Sequence, residues 1–354
     1  MRKPLTAKTL MIRLTAAVTL LAAVMLACSL LGSEPLSLAR AFGFGDATGY
    51  DHEILFRIRL PRVILAAIVG AALACSGAVL QGLLRNPLAD PYILGISSGA
   101  GLGTIVAVIA GVRWTLFGRS PIAVFAFAGA LTTVWLVWLI GRLTGRRQVT
   151  HLLLAGVVVN AFLSAMIMFL TSIANSSQVH ATLFWLMGNI MEEDLLTLWI
   201  SGGFVLAGIT ALFFMAPALN AVSFGEGDAR AMGINTTATQ AAAFAISALI
   251  TAIAVSLSGL VGFAGLIVPH GVRLVFGPDH RQLLPLSAAV GAIFLVAADT
   301  AARPRGWTAT GSWRSSRTTI RSVTVPVASG SVTGSHSRGK SSPRRPSSSP
   351  LSSP

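Results

Sequence analysis

The sequence predicts an all-α polytopic membrane protein, a series of apolar helices threaded through a bilayer. Three observations carry this prediction. Hydrophobic residues make up 54% of the 354-residue chain and charged residues 11%, against about 25% charged in a soluble domain. Nine apolar runs recur along the chain, most of them close to the ~20 residues a helix needs to cross the hydrocarbon core. The charge sits between the runs, with arginines in excess, on balance, in one alternate set of loops. The formal net charge of +14 therefore belongs to membrane-flanking loops and a basic C-terminal stretch, which disfavours a nucleic-acid partner.

In order, the runs are residues 11–31, 61–84, 93–110, 121–141, 151–171, 195–215, 239–257, 262–276 and 283–300. The first follows Arg2, Lys3, Lys8 and Arg13, which predicts a retained helix with its N-terminus in the cytoplasm. A cleaved signal peptide is the competing reading, with Leu26, Ala27 and Cys28 as a faint lipoprotein site. The second run carries Gly70, Ala74, Ala78 and Gly82 at every fourth position. That spacing lines one helical face with small side chains and predicts close approach of another helix. Arg85, Asn86, Pro87, Asp90 and Pro91 then force a turn, and a Gly- and Ser-rich run restarts at Ile93. With the N-terminus inside, inner loops hold Arg85, Arg142, Arg146, Arg147, Arg230 and Arg281. Outer loops hold Glu34, Asp46, Asp51, Glu53, Glu192, Glu193 and Asp194, together with Arg57, Arg59, Arg113 and Arg119. Cys28 and Cys75 lie in apolar runs and read as buried free thiols. Neither they nor His270 has metal-ligand spacing around it.

Three features stand out within the runs. Asn160 is a polar group at membrane depth, and it needs either a partner helix or a wet pathway. Gly262, Gly265 and Pro269 interrupt the stretch GLVGFAGLIVPHGVRLVFGPDHR, residues 259–281. This reads as a broken helix beside a pathway or as a packing kink. Residues 223–235, SFGEGDARAMGIN, place a polar, glycine-punctuated segment between two runs. A short helix at the membrane surface suits it, and a solvated loop is the alternative.

Residues 59–103, RLPRVILAAIVGAALACSGAVLQGLLRNPLADPYILGISSGAGLG, closely resemble the signature of the FecCD-type permeases. These are the membrane subunits of ABC importers for iron–siderophores, haem and vitamin B12. Residues 223–235 resemble the coupling segment of that family, and residues 259–281 its second long motif. The resemblance covers roughly residues 10–303. It implies a fold of ten transmembrane helices, of which nine are recognisable here. It also implies a transport subunit that is not itself an enzyme and carries no cofactor or metal, in a bacterial inner membrane.

The partners it implies are a cytoplasmic ATPase, an external binding (lipo)protein, and a second permease copy or paralogue. The substrate is a metal chelate, an iron(III)–siderophore first and vitamin B12 or haem next. By motif, Gly225, Glu226, Ala229, Arg230 and Gly233 correspond to the ATPase-coupling positions. Arg59, Arg62 and Arg303 correspond to arginines that dock the binding protein. Asn160, Gly262, Gly265 and Pro269 are assigned to the pathway and its helix break. A reading from another class, an ion-coupled secondary transporter, expects ionisable residues at the bilayer midplane, and the runs are nearly free of them. A membrane-bound enzyme expects His, Asp or Glu clustered near one face.

After residue 302 the sequence departs from the family pattern. Residues 1–302 read as the permease domain. Residues 303–354 read as a Ser-, Pro- and Arg-rich tail that is disordered and of frameshift or gene-fusion origin, where the family has a tenth helix. From Arg305 onward it holds eight Lys or Arg and no acidic residue, which conflicts with a tail exported after nine spans. Such a chain is expected to transport poorly. Gly334–Ser341 matches P-loop spacing, but only 13 residues follow it and no nucleotide domain surrounds it.

Overall fold

The computed structural model describes residues 6–32, 41, 51–112, 121–143, 149–190 and 193–303. The expectations for the tail beyond Arg303, for Glu34, Asp46 and Glu192, and for Arg113, Arg119, Arg146 and Arg147 lie outside these residues.

The described residues form helices α1 (Ala7–Leu30), α2 (Leu60–Leu83), α3 (Ile96–Ile109), α4 (Pro121–Leu143), α5 (Val149–Ile173) and α6 (Ser176–Leu186). They continue as α7 (Leu195–Phe214), α8 (Ala216–Phe224), α9 (Glu226–Ala231), α10 (Thr236–Ser258), α11 (Ala264–Phe276) and α12 (His280–Ala302). Seven are long and apolar enough to cross a membrane. The expected spans at 93–110 and 262–276 are shorter, with α3 of 14 residues and α11 of 13. At 1.5 Å per residue these reach about 21 and 20 Å, short of the ~30 Å hydrocarbon core. Backbone breaks shorten them. A 3₁₀ turn over Pro91–Leu94 ends at Gly95 (φ 75°) before α3, and Gly259 (φ 65°) and Phe263 (φ 67°) interrupt the chain before α11. Apolarity runs on through both breaks, so hydropathy alone overestimates the length.

Helix α6 falls in a region with no predicted span. Its start is set by a capping box in which the Asn175 side chain accepts from the Gln178 amide while Gln178 reaches back to the Asn175 amide.

Helix α2 is the centre of the bundle. Val63, Leu65, Ala66, Val69, Leu73 and Cys75 are all buried on it. Its small-residue face does what the spacing predicts, and α12 lies against it. A Cβ placed on Gly70 would come 2.2 Å from the Gly291 carbonyl oxygen, and one on Gly291 would come 2.4 Å from the Cβ of Ala74. Close backbone approach of this kind replaces the hydrophobic drive that helices lack in lipid. Cys28 and Cys75 are free and buried.

Candidate functional site

The two long sequence motifs meet across the middle of the bundle. Gly77 of α2 faces Gly265, where an added Cβ would lie 1.8 Å from the Gly265 carbonyl oxygen. Gly265 in turn packs under Pro91, 2.8 Å from its own added Cβ. The break before α11 leaves backbone groups without helical partners, and side chains of the first motif satisfy them. The Tyr92 hydroxyl donates to the Val261 carbonyl (3.0 Å) and accepts from the Val261 N–H (3.2 Å). The Gln81 amide donates to the Leu266 carbonyl at 3.0 Å. Asn189 N–H reaches across to the Ser258 carbonyl at 2.7 Å, where Gly188 and Gly259, both at positive φ, let the strands of chain approach. The broken helix is thus a braced feature.

Tyr92 and Gln81 are residues that sequence reasoning missed. Their signal, polar side chains flanking a helix break, shows only when the partner stretch is known. Tyr92→Phe should leave the Val261 N–H and carbonyl unpaired at a half-buried site. A loss of about 1–3 kcal/mol follows from the cost of orphaned buried polar groups, to be read as a lowered thermal midpoint in detergent with the fold otherwise retained.

Of the other assigned pathway residues, Gly262 is exposed, Pro269 is buried inside α11, and Asn160 is half-buried on α5. Asn160 sits beside the Gly95 turn, its backbone nitrogen 3.5 Å from a Cβ placed on Gly95.

The segment 223–235 is the end of α8, the short helix α9 and a turn. Helix α8 ends at Gly225, which is extended (φ 173°), and α9 follows at once. Ala229 is fully buried and anchors α9. Glu226 is held from two sides, by Arg230 (3.3 Å) and by the Gln240 amide of α10 (3.1 Å). Arg230 also donates to the Thr236 hydroxyl at 3.1 Å. Gly233 adopts φ 80° with open space around it, so its role is conformational. Phe224 and Met232 project from the segment, 83% and 61% exposed.

At the other end of α2 lie the assigned arginines. Arg62 and Arg303 both grip the Asp299 carboxylate of α12, each with its shortest contact at 2.7 Å. Asp299 is 6% exposed in its side chain and Arg62 is 33% exposed. Arg59 is buried and donates to the Leu30 carbonyl at the end of α1 (3.0 Å). The structure therefore brings Arg62 and Arg303 together through Asp299 and turns Arg59 toward α1. Asp299→Ala should leave two neighbouring guanidiniums without their shared counter-charge. Breaking a buried ion pair costs about 3–5 kcal/mol, less where one partner is partly solvated, so a loss of roughly 2 kcal/mol is expected in chemical denaturation. Among the described residues no group of three or more His, Cys, Asp or Glu is arranged to hold a metal ion.

Comparison with known proteins gives one consistent picture. The FecCD transport family profile matches residues 19–306. The cobalamin import system permease protein of Halobacterium salinarum is 44% identical over 250 residues, which is 71% of this chain and 66% of that protein. The chain thus spans just under two thirds of the length of that relative. The hemin transport system permease protein of Yersinia pestis is 40% identical over 253 residues, 71% of this chain and 75% of that protein. A solved structure, described as an inward-facing conformation of a metal-chelate type ABC transporter, superposes with a TM-score of 0.72 at 29% identity. The superposition covers 81% of this chain and 89% of that one.

Proposed function

This chain belongs to the FecCD transport family, and from that premise we propose that it is the multi-pass permease subunit of an ABC importer for an iron(III)–siderophore chelate. The observation that carries the importer reading is the braced segment 216–233. It lies between two long apolar helices, is fixed at Glu226 and Ala229, and presents Phe224 and Met232 outward. A segment held that firmly to α10 can pass motion from a docked ATPase to the bundle, with Gly225, Glu226, Ala229, Arg230 and Gly233 as its coupling residues. ATP hydrolysis then lies in the separate ATPase subunit. The N-terminus is cytoplasmic in this reading, a second permease completes the pathway, and an external binding protein delivers the chelate.

Arg62 and Arg303 supply the docking charge at the outer end of α2 and α12, with Asp299 orienting them. Arg59 shares their end of the bundle. Arg62→Glu places a second acid beside Asp299 and should weaken association with the binding protein, most strongly at low ionic strength, where screening is least. Binding-protein association at low salt, compared with the unaltered chain, checks this. The charged groups of this cluster sit at the ends of helices, which argues against an ion-coupled carrier.

Cobalamin is the second reading, favoured by the 44% identical halobacterial relative named for cobalamin import. Uptake of radiolabelled iron–siderophore, haem and cobalamin by cells carrying the full system separates the readings. Iron–siderophore accumulation that excess cobalamin does not compete away is the expected result, and accumulation of cobalamin alone would replace it.

A further inference from the structure

A cavity of about 810 Å³ opens at the end of the bundle where α2 finishes and α12 begins, walled by α1, α2, α8, α11 and the turn before α12. Arg13, Arg85 and Arg273 line it from three different elements. Among the described residues of the wall the one carboxylate is Asp279, whose Oδ1 accepts from the Asn220 amide (2.7 Å) and the Arg281 N–H (3.0 Å), so three arginines face a single negative charge. The cations are held in place. Arg13 stacks over the Phe276 ring, 5.4 Å from its centroid, and donates to the Gln282 side chain. Arg85 donates to the Val222 carbonyl at 3.0 Å from a backbone φ of 48° that non-glycine residues rarely adopt. Arg273 reaches the Ala78 carbonyl at 3.5 Å.

Each of these contacts uses a small part of a guanidinium that has five donors. The wall also keeps buried polar atoms without a partner among the described residues, namely Arg273 Nε, Gln81 Oε1 and His280 Nε2. His280 is 2% exposed. Asn220 gives its amide N–H to Asp279, so its oxygen faces His280 and accepts from the His280 backbone N–H (2.8 Å) and from the ring Nδ1 (2.7 Å). The imidazole therefore carries its proton on Nδ1 and leaves Nε2 as an acceptor.

We propose that this cavity is a binding site for a phosphate-bearing anion, either the headgroup of an anionic phospholipid or free phosphate. Guanidinium groups match phosphate oxygens in bidentate geometry, and three of them around one depression supply the charge that a phosphate mono- or diester requires. The volume exceeds the needs of a small inorganic ion and lies in the range of organic ligand sites. Val275 and Phe224, 70% and 83% exposed beside the cavity, offer an apolar margin for an attached chain. The proposal rests on these side chains; its wall shares Asn220, Ser223 and Phe224 with the segment that the importer reading gives to the ATPase, and its test is made on the chain without the ATPase.

The test uses the purified full chain in detergent, followed by thermal unfolding and native mass spectrometry with added phosphatidylglycerol, phosphatidylcholine or inorganic phosphate. Phosphatidylglycerol should raise the unfolding midpoint and persist as a bound adduct, while phosphatidylcholine does neither. Arg273→Gln combined with Arg85→Gln should weaken the apparent affinity at least tenfold. Arg13→Gln serves as a second variant should the first fail to fold, with a smaller loss expected because one of the three arginines is removed. Protection by inorganic phosphate equal to that by the lipid would assign the site to free anion, and protection by the lipid alone to a headgroup. Equal protection by phosphatidylcholine, or an undiminished phosphatidylglycerol effect in the arginine variants, would overturn the proposal.

Discussion

Gly70→Leu, or Gly291→Leu, should abolish the folded bundle and with it all transport. At both positions the obstacle to a side chain is backbone: the Gly291 carbonyl oxygen lies 2.2 Å from a Cβ on Gly70, and the Gly70 carbonyl oxygen 2.4 Å from a Cβ on Gly291. A flexible neighbour could swing aside, but two helix axes in contact can only separate. Ordinary overpacking costs about 1–3 kcal/mol. Here the cost should exceed ~3 kcal/mol, because separating α2 from α12 also loosens Arg62 from Asp299 and opens the packing around Val63, Leu73 and Leu295. Gly203→Leu, at a site with nothing within 4 Å, provides the control and should express normally. Membrane yield and monodispersity in size-exclusion chromatography read the result.

The second large effect concerns coupling. Gly233→Val should leave insertion and expression intact while cutting ATP-driven uptake by more than tenfold. Gly233 has open space around it but holds φ 80°. A non-glycine residue there pays about 1–2 kcal/mol, and a β-branched one more. The turn relieves that strain by shifting, and the Arg230 contacts to Glu226 and Thr236 shift with it. Gly225 differs: its φ of 173° is accessible to any residue, and an added Cβ meets only the Asp228 carboxylate, 3.1 Å away. Gly225→Ala should therefore transport nearly normally, with a bulkier residue needed to disturb the segment. ATPase activity and uptake measured together separate uncoupling from simple loss of protein.

Much of the architecture was legible in the sequence because lipid leaves few options. Apolar length located the seven long helices, and the four-residue spacing of Gly70, Ala74, Ala78 and Gly82 located the face that receives α12. The lengths of α3 and α11 were not legible, since Gly95, Gly259 and Phe263 break the helix through dihedral angles that hydropathy does not register. The site was readable as separate stretches only. Asp299 shows in the sequence as a lone acid in an apolar run, and its meaning depends on Arg62, 237 positions away. Tyr92 and Gln81 likewise acquire a role only when residues 259–266 fold onto them.

The central claim is that this chain forms the membrane path of an ATP-driven importer. The measurement that tests it most directly is uptake into proteoliposomes holding the chain with its ATPase and external binding protein. Chelate accumulation, at the low level expected of a chain with this C-terminal stretch, should require ATP, the binding protein and an intact 216–233 segment together, and imposed proton or sodium gradients should have no effect. Accumulation driven by an ion gradient without ATP or binding protein would contradict the account.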